Sequence, residues 1–322
     1  MTTWLSNAVV DHLRVVATWP EPPGDRYVIE RPIGRGGMGT VYVARDTLLE
    51  RDVAIKVSNA PVAGANLDER LRQEAQVLAR LEHPGIVPVH DAGLLADGRL
   101  FYVMKLVHGD TLTAYSKGLQ SEAAVLGVFE RVAETMAFAH EAGVIHRDLK
   151  PSNVMVGRFG EVLVLDWGVA RMIEDAATLA GTRVGTPGFM PPEQARGEAA
   201  ATSTTSDIFA LGALLFWMLT GDTPPRPIDN ALHQLNAASI RPARRLAAIV
   251  LKCLAADPSD RYSNAASLAA DLSRYRAGQS VAAHRETMLE RLGIWFVRYR
   301  TFILLVAAYL VMRGMFAFLR RP

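Results

Sequence analysis

The chain has 322 residues and a mass of 35.1 kDa, which is enough for two lobes or two domains. Half of its residues are apolar and 21% are charged, a composition that excludes a mainly disordered or fibrous protein. A net charge of +2 provides no basic surplus that would favour nucleic acid as a partner. The single cysteine, Cys253, excludes an internal disulfide framework and a cysteine-based zinc site, and it fits a reducing cytosol.

The first half of the chain alternates between strand and helix patterns. Residues 1–24 end in a proline cluster that stops a helix, so they are predicted to be an extension; they lack the pattern of a secretory signal. Short β-rich runs separated by glycines follow from Tyr27 to Val57, then residues 67–82 show helical spacing. A second β-rich section surrounds residues 97–98. We therefore predict an α+β fold that begins with a β-rich lobe.

After about Thr111 helical patterns dominate, which predicts a larger helical lobe. Residues 301–319 are almost uncharged, interrupted by Arg313, and are predicted to be a transmembrane helix. About 18 helical residues span roughly 27 Å, close to the thickness of a bilayer core. The alternative is a terminal helix packed on the protein or on a partner. Arginines before the segment favour a cytoplasmic position for the large domain.

A glycine-rich run lies between two β-like segments at residues 33–41, with the spacing GxGxxGxV. Glycines let a hairpin backbone approach phosphate oxygens closely. The dinucleotide-binding fingerprint shares this spacing but needs a helix directly after it, whereas Thr40, Val41, Tyr42 and Val43 favour a strand.

Lys56 lies in an alternating apolar run, where an ammonium group needs an anionic partner. Glu74, on the predicted helix 18 residues later, is a suitable partner. The alternatives are a lysine that extends from an edge strand to solvent and a glutamate on a solvated helix face.

The strongest motif is His146-Arg147-Asp148-Leu149-Lys150-Pro151-Ser152-Asn153. Asp148 has the chemistry to accept a hydroxyl proton, Lys150 to neutralise phosphoryl charge, and Asn153 to offer an amide oxygen to Mg²⁺. Eighteen residues beyond Asp148, the carboxylate of Asp166 follows an apolar run and precedes Trp167-Gly168, as suits a metal ligand; an isolated DxG is more often a turn.

Taken in order, these motifs resemble those of the eukaryotic-like (Hanks-type) protein kinases, in their bacterial serine/threonine branch, over residues 27–275. The resemblance implies a bilobal fold and a site in which Lys56, paired with Glu74, holds the α- and β-phosphates of ATP. It implies Asp148 as the catalytic base, Lys150 at the γ-phosphate, and Asn153 with Asp166 as ligands of Mg²⁺, or of Mn²⁺.

The same resemblance implies a nucleotide site covered by the glycine loop and lined by apolar side chains. Its residues are Gly34, Arg35, Gly36, Gly37, Met38, Gly39, Val41, Ala54, Lys56, Met104 and Met155, with the backbones of Lys105 and Val107 bonding the base. Lys105 occupies a hinge position that is often acidic, and its side chain is expected to point away from adenine.

The segment between Gly168 and Glu193 resembles a kinase activation loop. We predict that Thr178 or Thr182 is autophosphorylated and that Arg147 pairs with the loop phosphate, while Thr186 serves the active site structurally. The alternative is that these threonines stay unmodified. A homodimer is one arrangement that would allow autophosphorylation.

Three further contacts in the large lobe follow from the resemblance. Glu193 is expected to pair with Arg261, and Asp207 to hold the catalytic loop from the helix beneath. Trp167 stands where the family usually has phenylalanine, and its ring is expected to keep the packing with Leu78, Val89 and His146.

The predicted organisation is an extension (1–24), a kinase domain (25–276, with lobes 27–106 and 107–276), a juxtamembrane linker (277–300) and a transmembrane helix (301–319). The predicted function is ATP-dependent transfer of phosphate to Ser or Thr hydroxyls of proteins, at the cytoplasmic face of the cell membrane. The alternative is a pseudokinase that acts as a nucleotide-binding scaffold at the membrane. The long activation segment disfavours a small-molecule kinase.

Overall fold

A computed structural model describes residues 20, 24–35, 39–61, 81–167, 171–172, 186–197 and 203–284, together with 304–306, 308–310 and 312–313 near the C-terminus. The predicted helix at 67–82 therefore lies almost entirely outside the described residues. Most of the predicted transmembrane helix, 301–319, lies outside them as well. Within the part of the chain that is described, no helix has both the length and the apolar character needed to cross a bilayer.

The small lobe is a five-stranded antiparallel sheet with the order β1-β2-β3-β5-β4. Its strands are β1 (Tyr27–Arg35), β2 (Gly39–Asp46), β3 (Arg51–Pro61), β4 (Val89–Leu94) and β5 (Arg99–Lys105). Alternation along β3 places Val53, Ile55 and Val57 on the buried face, where they pack with Phe101 and Val103 of β5. This small apolar cluster fixes the register of β3 against β5 and thereby places Lys56 on the opposite face of the sheet.

The large lobe combines helices with short strands. Its helices are α1 (Leu112–Tyr115), α2 (Glu122–Glu141), α3 (Pro192–Ala195), α4 (Thr204–Thr220), α5 (Ala231–Ala237), α6 (Arg244–Cys253) and α7 (Ala265–Arg276). Its strands are β6 (Gly109–Thr111), β7 (Val144–Ile145), β8 (Val154–Gly157), β9 (Val162–Val164) and β10 (Arg171–Met172). Strands β6, β8 and β9 form one small sheet, and β7 pairs with β10.

Two long helices organise the core of this lobe. Ser121 caps the start of α2 by accepting a hydrogen bond from the amide of Ala124, and Gly221 ends α4 in the left-handed conformation, with φ +85°. Helix α4 is buried on nearly all sides. It approaches α6 at Gly212, where a Cβ would lie 2.4 Å from the Cβ of Cys253. Glycine is therefore required for this close helix contact.

The β-rich small lobe and the helical large lobe confirm the predicted bilobal α+β fold, whereas the predicted C-terminal hydrophobic helix is not confirmed. Helices dominate after Thr111, as predicted, and the short strands β7 to β10 were not predicted. The predicted limits of the domain and its lobes stay predictions.

The chain continues to contact the large lobe after α7 ends. The fully buried carboxylate of Asp271 accepts hydrogen bonds from the amides of Ala282 (2.7 Å) and Ala283 (3.0 Å), and from the hydroxyl of Tyr262 (2.7 Å). Arg274 forms an ion pair with the same carboxylate at 2.8 Å. Val281 is buried beside it. The first residues of the predicted linker are thus fastened to the lobe.

Candidate active site

Residues 146–153, the predicted catalytic loop, connect β7 to β8 and contain a compact set of polar side chains. The Nζ of Lys150 donates to Oδ2 of Asp148 at 2.6 Å, and the amide nitrogen of Asn153 donates to the carbonyl of Asp148 at 2.8 Å. Asp148 and Asn153 are 8% and 6% exposed. The loop therefore presents a carboxylate whose position is fixed from two sides, with a cation beside it.

Thr186 completes this arrangement from a distant part of the chain. Its hydroxyl donates to Oδ1 of Asp148 at 3.0 Å and accepts from Nζ of Lys150 at 2.8 Å. The three side chains form a closed triangle of hydrogen bonds. This placement agrees with the prediction that Thr186 serves the active site structurally.

Asp207 supports the catalytic loop from the start of α4. Its carboxylate accepts hydrogen bonds from the amides of His146 (2.8 Å) and Arg147 (2.9 Å) and from Nε2 of His140 (2.9 Å). Burial by itself raises the pKa of Asp207, but these hydrogen bonds and the nearby histidines outweigh it and lower the pKa overall. The backbone of Arg147 has φ +70°, a strained conformation that these bonds stabilise.

A buried ion pair fixes Glu193, at the far end of the predicted activation loop. Arg261 donates to both oxygens of Glu193, at 2.7 and 2.8 Å, and both side chains are at most 1% exposed. The hydroxyl of Ser206 donates to the same carboxylate at 3.0 Å, and Arg261 also donates to the carbonyl of Thr205. The expected pair is confirmed, and its bidentate geometry satisfies both charges.

The two lobes meet through Lys56 and Asp166. Lys56 is on β3, opposite Tyr102 of β5, and its Nζ contacts Oδ1 of Asp166. Asp166 follows β9 with φ +63°, and the amide of the preceding Leu165 donates to the carbonyl of Asn153 at 2.7 Å. The two residues, 110 positions apart in the sequence, therefore lie in one cleft together with the catalytic loop.

Trp167, directly after Asp166, packs against the first residue of the predicted catalytic loop. Its ring lies edge to face with that of His146, with centroids 4.7 Å apart, and its Nε1 donates to the carbonyl of Val164 at 3.1 Å. Trp167 is buried, so the larger ring is accommodated at the position where phenylalanine is usual. Leu78, predicted to pack here, lies outside the described residues.

Three of the predicted adenine-binding side chains lie on adjacent strands of the small lobe, and the fourth lies in the small sheet of the large lobe. Ala54 pairs with Met104 across β3 and β5, Val41 pairs with Lys56, and Met155 is on β8. The amide of Lys105 donates to the carbonyl of Pro88 at 3.1 Å, so a backbone contact from this residue to a base has to use its carbonyl. A Cβ at Gly39 would lie 2.4 Å from the carbonyl oxygen of Val57, so glycine is required there.

Asn153 and Asp166 provide the oxygen atoms that Mg²⁺ prefers. Because the amide nitrogen of Asn153 donates to Asp148, its Oδ1 is directed elsewhere, and no described residue donates to it. In the described ranges no three His, Cys, Asp or Glu side chains converge as a metal-binding group. Two protein ligands completed by phosphate oxygens match the usual coordination of Mg²⁺ in nucleotide sites.

Several predicted site residues lie outside the described part of the chain. They are Gly36, Gly37, Met38, Glu74, Thr178 and Thr182. Two supporting contacts were not predicted: His140 bonds Asp207, and the side-chain amide of Gln194 donates to the carbonyl of Arg147 at 3.2 Å. For the contact between His140 and Asp207, the signal in the sequence is a histidine within a mostly apolar helical run.

A β-rich lobe above a helical lobe, with a lysine and three polar side chains in the cleft between them, defines a protein kinase fold. The protein kinase domain family matches residues 27–272, and the chain belongs to this family, in its bacterial serine/threonine branch.

Curated proteins named as serine/threonine-protein kinases align with most of this chain. It is 38% identical to serine/threonine-protein kinase PknB of Mycolicibacterium smegmatis, over 82% of this chain and 45% of the relative. It is 36% identical to serine/threonine-protein kinase PknD of Chlamydia caviae, over 79% of this chain and 31% of the relative. The chain thus spans less than half the length of the curated relatives it matches.

The fold is also similar to a solved structure. The crystal structure of the Mycobacterium tuberculosis PknI kinase domain matches 77% of this chain and 95% of that chain, with a TM-score of 0.60 and 27% identity.

Proposed function

We propose that this protein transfers the γ-phosphoryl group of ATP to Ser or Thr hydroxyls of protein substrates. The observation that carries the proposal is the triangle formed by Asp148, Lys150 and Thr186. The Lys56–Asp166 pair is linked to the same loop by the hydrogen bond from the amide of Leu165 to the carbonyl of Asn153. A base for the hydroxyl proton and cations for the phosphates are thereby supplied from separate parts of the chain.

In the proposed reaction Asp148 orients the substrate hydroxyl and accepts its proton. A bond forms between the hydroxyl oxygen and the γ-phosphorus while the bond from that phosphorus to the bridging oxygen of ADP breaks. Lys150 and Lys56 stabilise the charge on the phosphoryl oxygens. Mg²⁺ or Mn²⁺, held by Asn153 and Asp166, would neutralise the charge of the triphosphate.

The test is transfer of radiolabelled phosphate from ATP to protein and peptide substrates by the wild type, Lys56→Met and Asp148→Asn. We expect transfer by the wild type only. Equal counts from all three would favour the alternative function, a nucleotide-binding scaffold. The contact of Lys56 with Asp166 is the observation that favours this alternative. Because the charge of Lys56 is already paired, a nucleotide has to bind beside the pair or displace Asp166.

We also propose that Thr178 or Thr182 is autophosphorylated and that the guanidinium of Arg147, beside Asp148, pairs with the resulting phosphate. A homodimer would allow this transfer between two chains. The test is phosphopeptide mapping after incubation with ATP, with Asp148→Asn as the control. An unmodified segment in active enzyme would contradict the proposal.

The last proposal is that residues 301–319 anchor the protein in the cell membrane, with the kinase domain on the cytoplasmic side. It is supported by the nearly uncharged sequence and by the arginines that precede it. Carbonate extraction of cell membranes tests it: an inserted protein stays in the pellet, whereas release into the wash would mean that the segment is not inserted.

A further inference from the structure

The residues after Thr186 form a tight turn that starts at the catalytic carboxylate. The hydroxyl of Thr186 bonds Asp148, and its carbonyl accepts hydrogen bonds from the amides of Phe189 and Met190, both at 3.1 Å. Four residues of such a turn cover roughly 6 Å at 1.5 Å per residue. A substrate whose hydroxyl lies at Asp148 must therefore place neighbouring residues beside this turn.

A second loop, residues 221–227 at the end of α4, packs against the turn. Gly188 has φ +98°, and a Cβ there would lie 2.8 Å from Cγ2 of Thr223. Nη2 of Arg226 donates to the carbonyl of Met190. The two loops are thus joined at two points, and Arg226 is held at the end of the turn farthest from Asp148.

Arg226 is exposed, and the bond to Met190 uses one of its five N–H donors. Acidic residues of the same region, Asp222 and Asp229, form no ion pair with it in the described ranges of the chain. A planar guanidinium with unused donors binds a carboxylate or a phosphate group in a forked geometry. An extended chain advances about 3.3 Å per residue, so this cation lies within reach of side chains one to four residues from the reacting hydroxyl.

We propose that Arg226 is a specificity-determining residue that selects substrates with an anionic side chain within about four residues of the phosphorylated Ser or Thr. This inference rests on the proposed kinase function. The anionic group is a carboxylate or the phosphate of a previously modified residue. The competing interpretation is that Arg226 only fastens the two loops together through the carbonyl of Met190.

The experiment measures kcat/KM for a set of peptides with one central Thr or Ser in a neutral background. At each of the four positions on either side, one peptide carries Glu, one phosphoserine, one Lys and one Ala. The variants of the whole chain are Arg226→Gln, which keeps an N–H donor without the charge, and Arg226→Glu. Arg244→Ala is the matched control, because Arg244 is another exposed arginine of the large lobe, at the start of α6.

The wild type is expected to prefer an anionic residue over Ala by about tenfold at one or more positions, through a lower KM. Arg226→Gln should lose this preference while its kcat/KM for the neutral peptide changes less than about twofold, and Arg226→Glu should favour Lys instead. Arg244→Ala should match the wild type. Whether Glu or phosphoserine gives the larger ratio identifies the anion.

Two results would overturn the inference. In one, the wild type shows no anionic preference at any position; in the other, Arg226→Gln lowers kcat/KM equally for all peptides, as expected of a residue that only fastens the loops. Failure of the kinase proposal looks different, because then the wild type phosphorylates none of the peptides.

Discussion

Two ion pairs, each joining distant parts of the chain, differ in their exposure to water. Glu193 and Arg261, 68 residues apart, are at most 1% exposed and share two hydrogen bonds. Lys56 and Asp166, 110 residues apart, are 14% and 29% exposed and meet in the cleft. Breaking a buried pair costs about 3–5 kcal/mol, whereas partly solvated pairs contribute little. We therefore expect the first pair to hold the fold and the second to exchange its partner for a ligand.

Asp148 and Asp207 also differ in whether they face the cleft or support the fold. Asp148 contacts side chains that face the cleft, while Asp207 bonds backbone amides beneath the catalytic loop. Residues of the first kind should control the rate, and residues of the second kind should control stability. Four substitutions test this comparison.

The largest effect is expected for Asp148→Asn. Asparagine fills the same space but cannot accept the hydroxyl proton, so kcat should fall by about 10²–10⁴-fold. The free energy of unfolding should change by less than about 1 kcal/mol. Steady-state kinetics and urea unfolding check the two numbers, with Ser152→Ala, an exposed position in the same loop, as the control. A large loss of stability would show that Asp148 also supports the fold.

Arg261→Met should have the opposite effect, with a large loss of stability and a smaller change in kcat. It leaves the buried carboxylate of Glu193 without its partner and should lower the free energy of unfolding by about 3–5 kcal/mol. The double variant Arg261→Met with Glu193→Gln should lose less, because no unpaired charge remains. Urea unfolding followed by tryptophan fluorescence measures both. A loss of stability in the double variant as large as in the single one would contradict this interpretation.

Asp271→Asn should lower the free energy of unfolding by about 1–3 kcal/mol, since buried donors lose a charged acceptor. Burial raises the pKa of Asp271, but hydrogen bonds from Ala282, Tyr262 and Arg274 outweigh it and lower the pKa overall. The ionised group therefore stabilises the folded state above the ordinary aspartate pKa, and this contribution is lost as the pH falls through the lowered value.

The measurement for Asp271 is urea unfolding between about pH 3 and 7, supported by hydrogen exchange of the amides of Ala282 and Ala283. The variant should show a smaller loss of stability on acidification than the wild type. An unchanged pH dependence together with unchanged amide protection would mean that the segment after α7 is held by other contacts.

Trp167→Phe is expected to have the smallest effect. It restores the residue usual in the family and removes only the hydrogen bond to Val164 and part of the contact with His146. A loss of about 1 kcal/mol in unfolding free energy and less than about threefold in kcat is expected. Thermal unfolding and kinetics check this. A much larger loss of kcat would show that the indole ring positions Asp166.

The residues with distinctive chemistry could be predicted from the sequence because each belongs to a motif whose members are close along the chain. Asp148, Lys150 and Asn153 lie within six residues, so local geometry alone brings them together. The pairing of Glu193 with Arg261 depended on the resemblance to the family. The contact of Lys56 with Asp166 depends on how the two lobes approach, which no local pattern specifies.

Other features could not be predicted for physical reasons. Strands β8 and β9 are four and three residues long, too short for an alternating pattern to distinguish them from loops. Arg226 and Thr223 contact the turn after Thr186 only because α4 carries their loop back to it. The attachment of residues 282–283 to Asp271 could not be predicted either, because these two residues lie in the stretch predicted to be a linker.

The close approach of α4 to α6 has a practical consequence for chemical labelling. Cys253 faces Gly212 and is 1% exposed, and burial raises the pKa of its thiol, so the reactive thiolate is scarce. As this is the only cysteine of the chain, maleimide dyes should leave the native protein almost unmodified. A cysteine introduced at the exposed Thr223 would then carry a single fluorophore beside the turn after Thr186, with no need to replace the natural thiol.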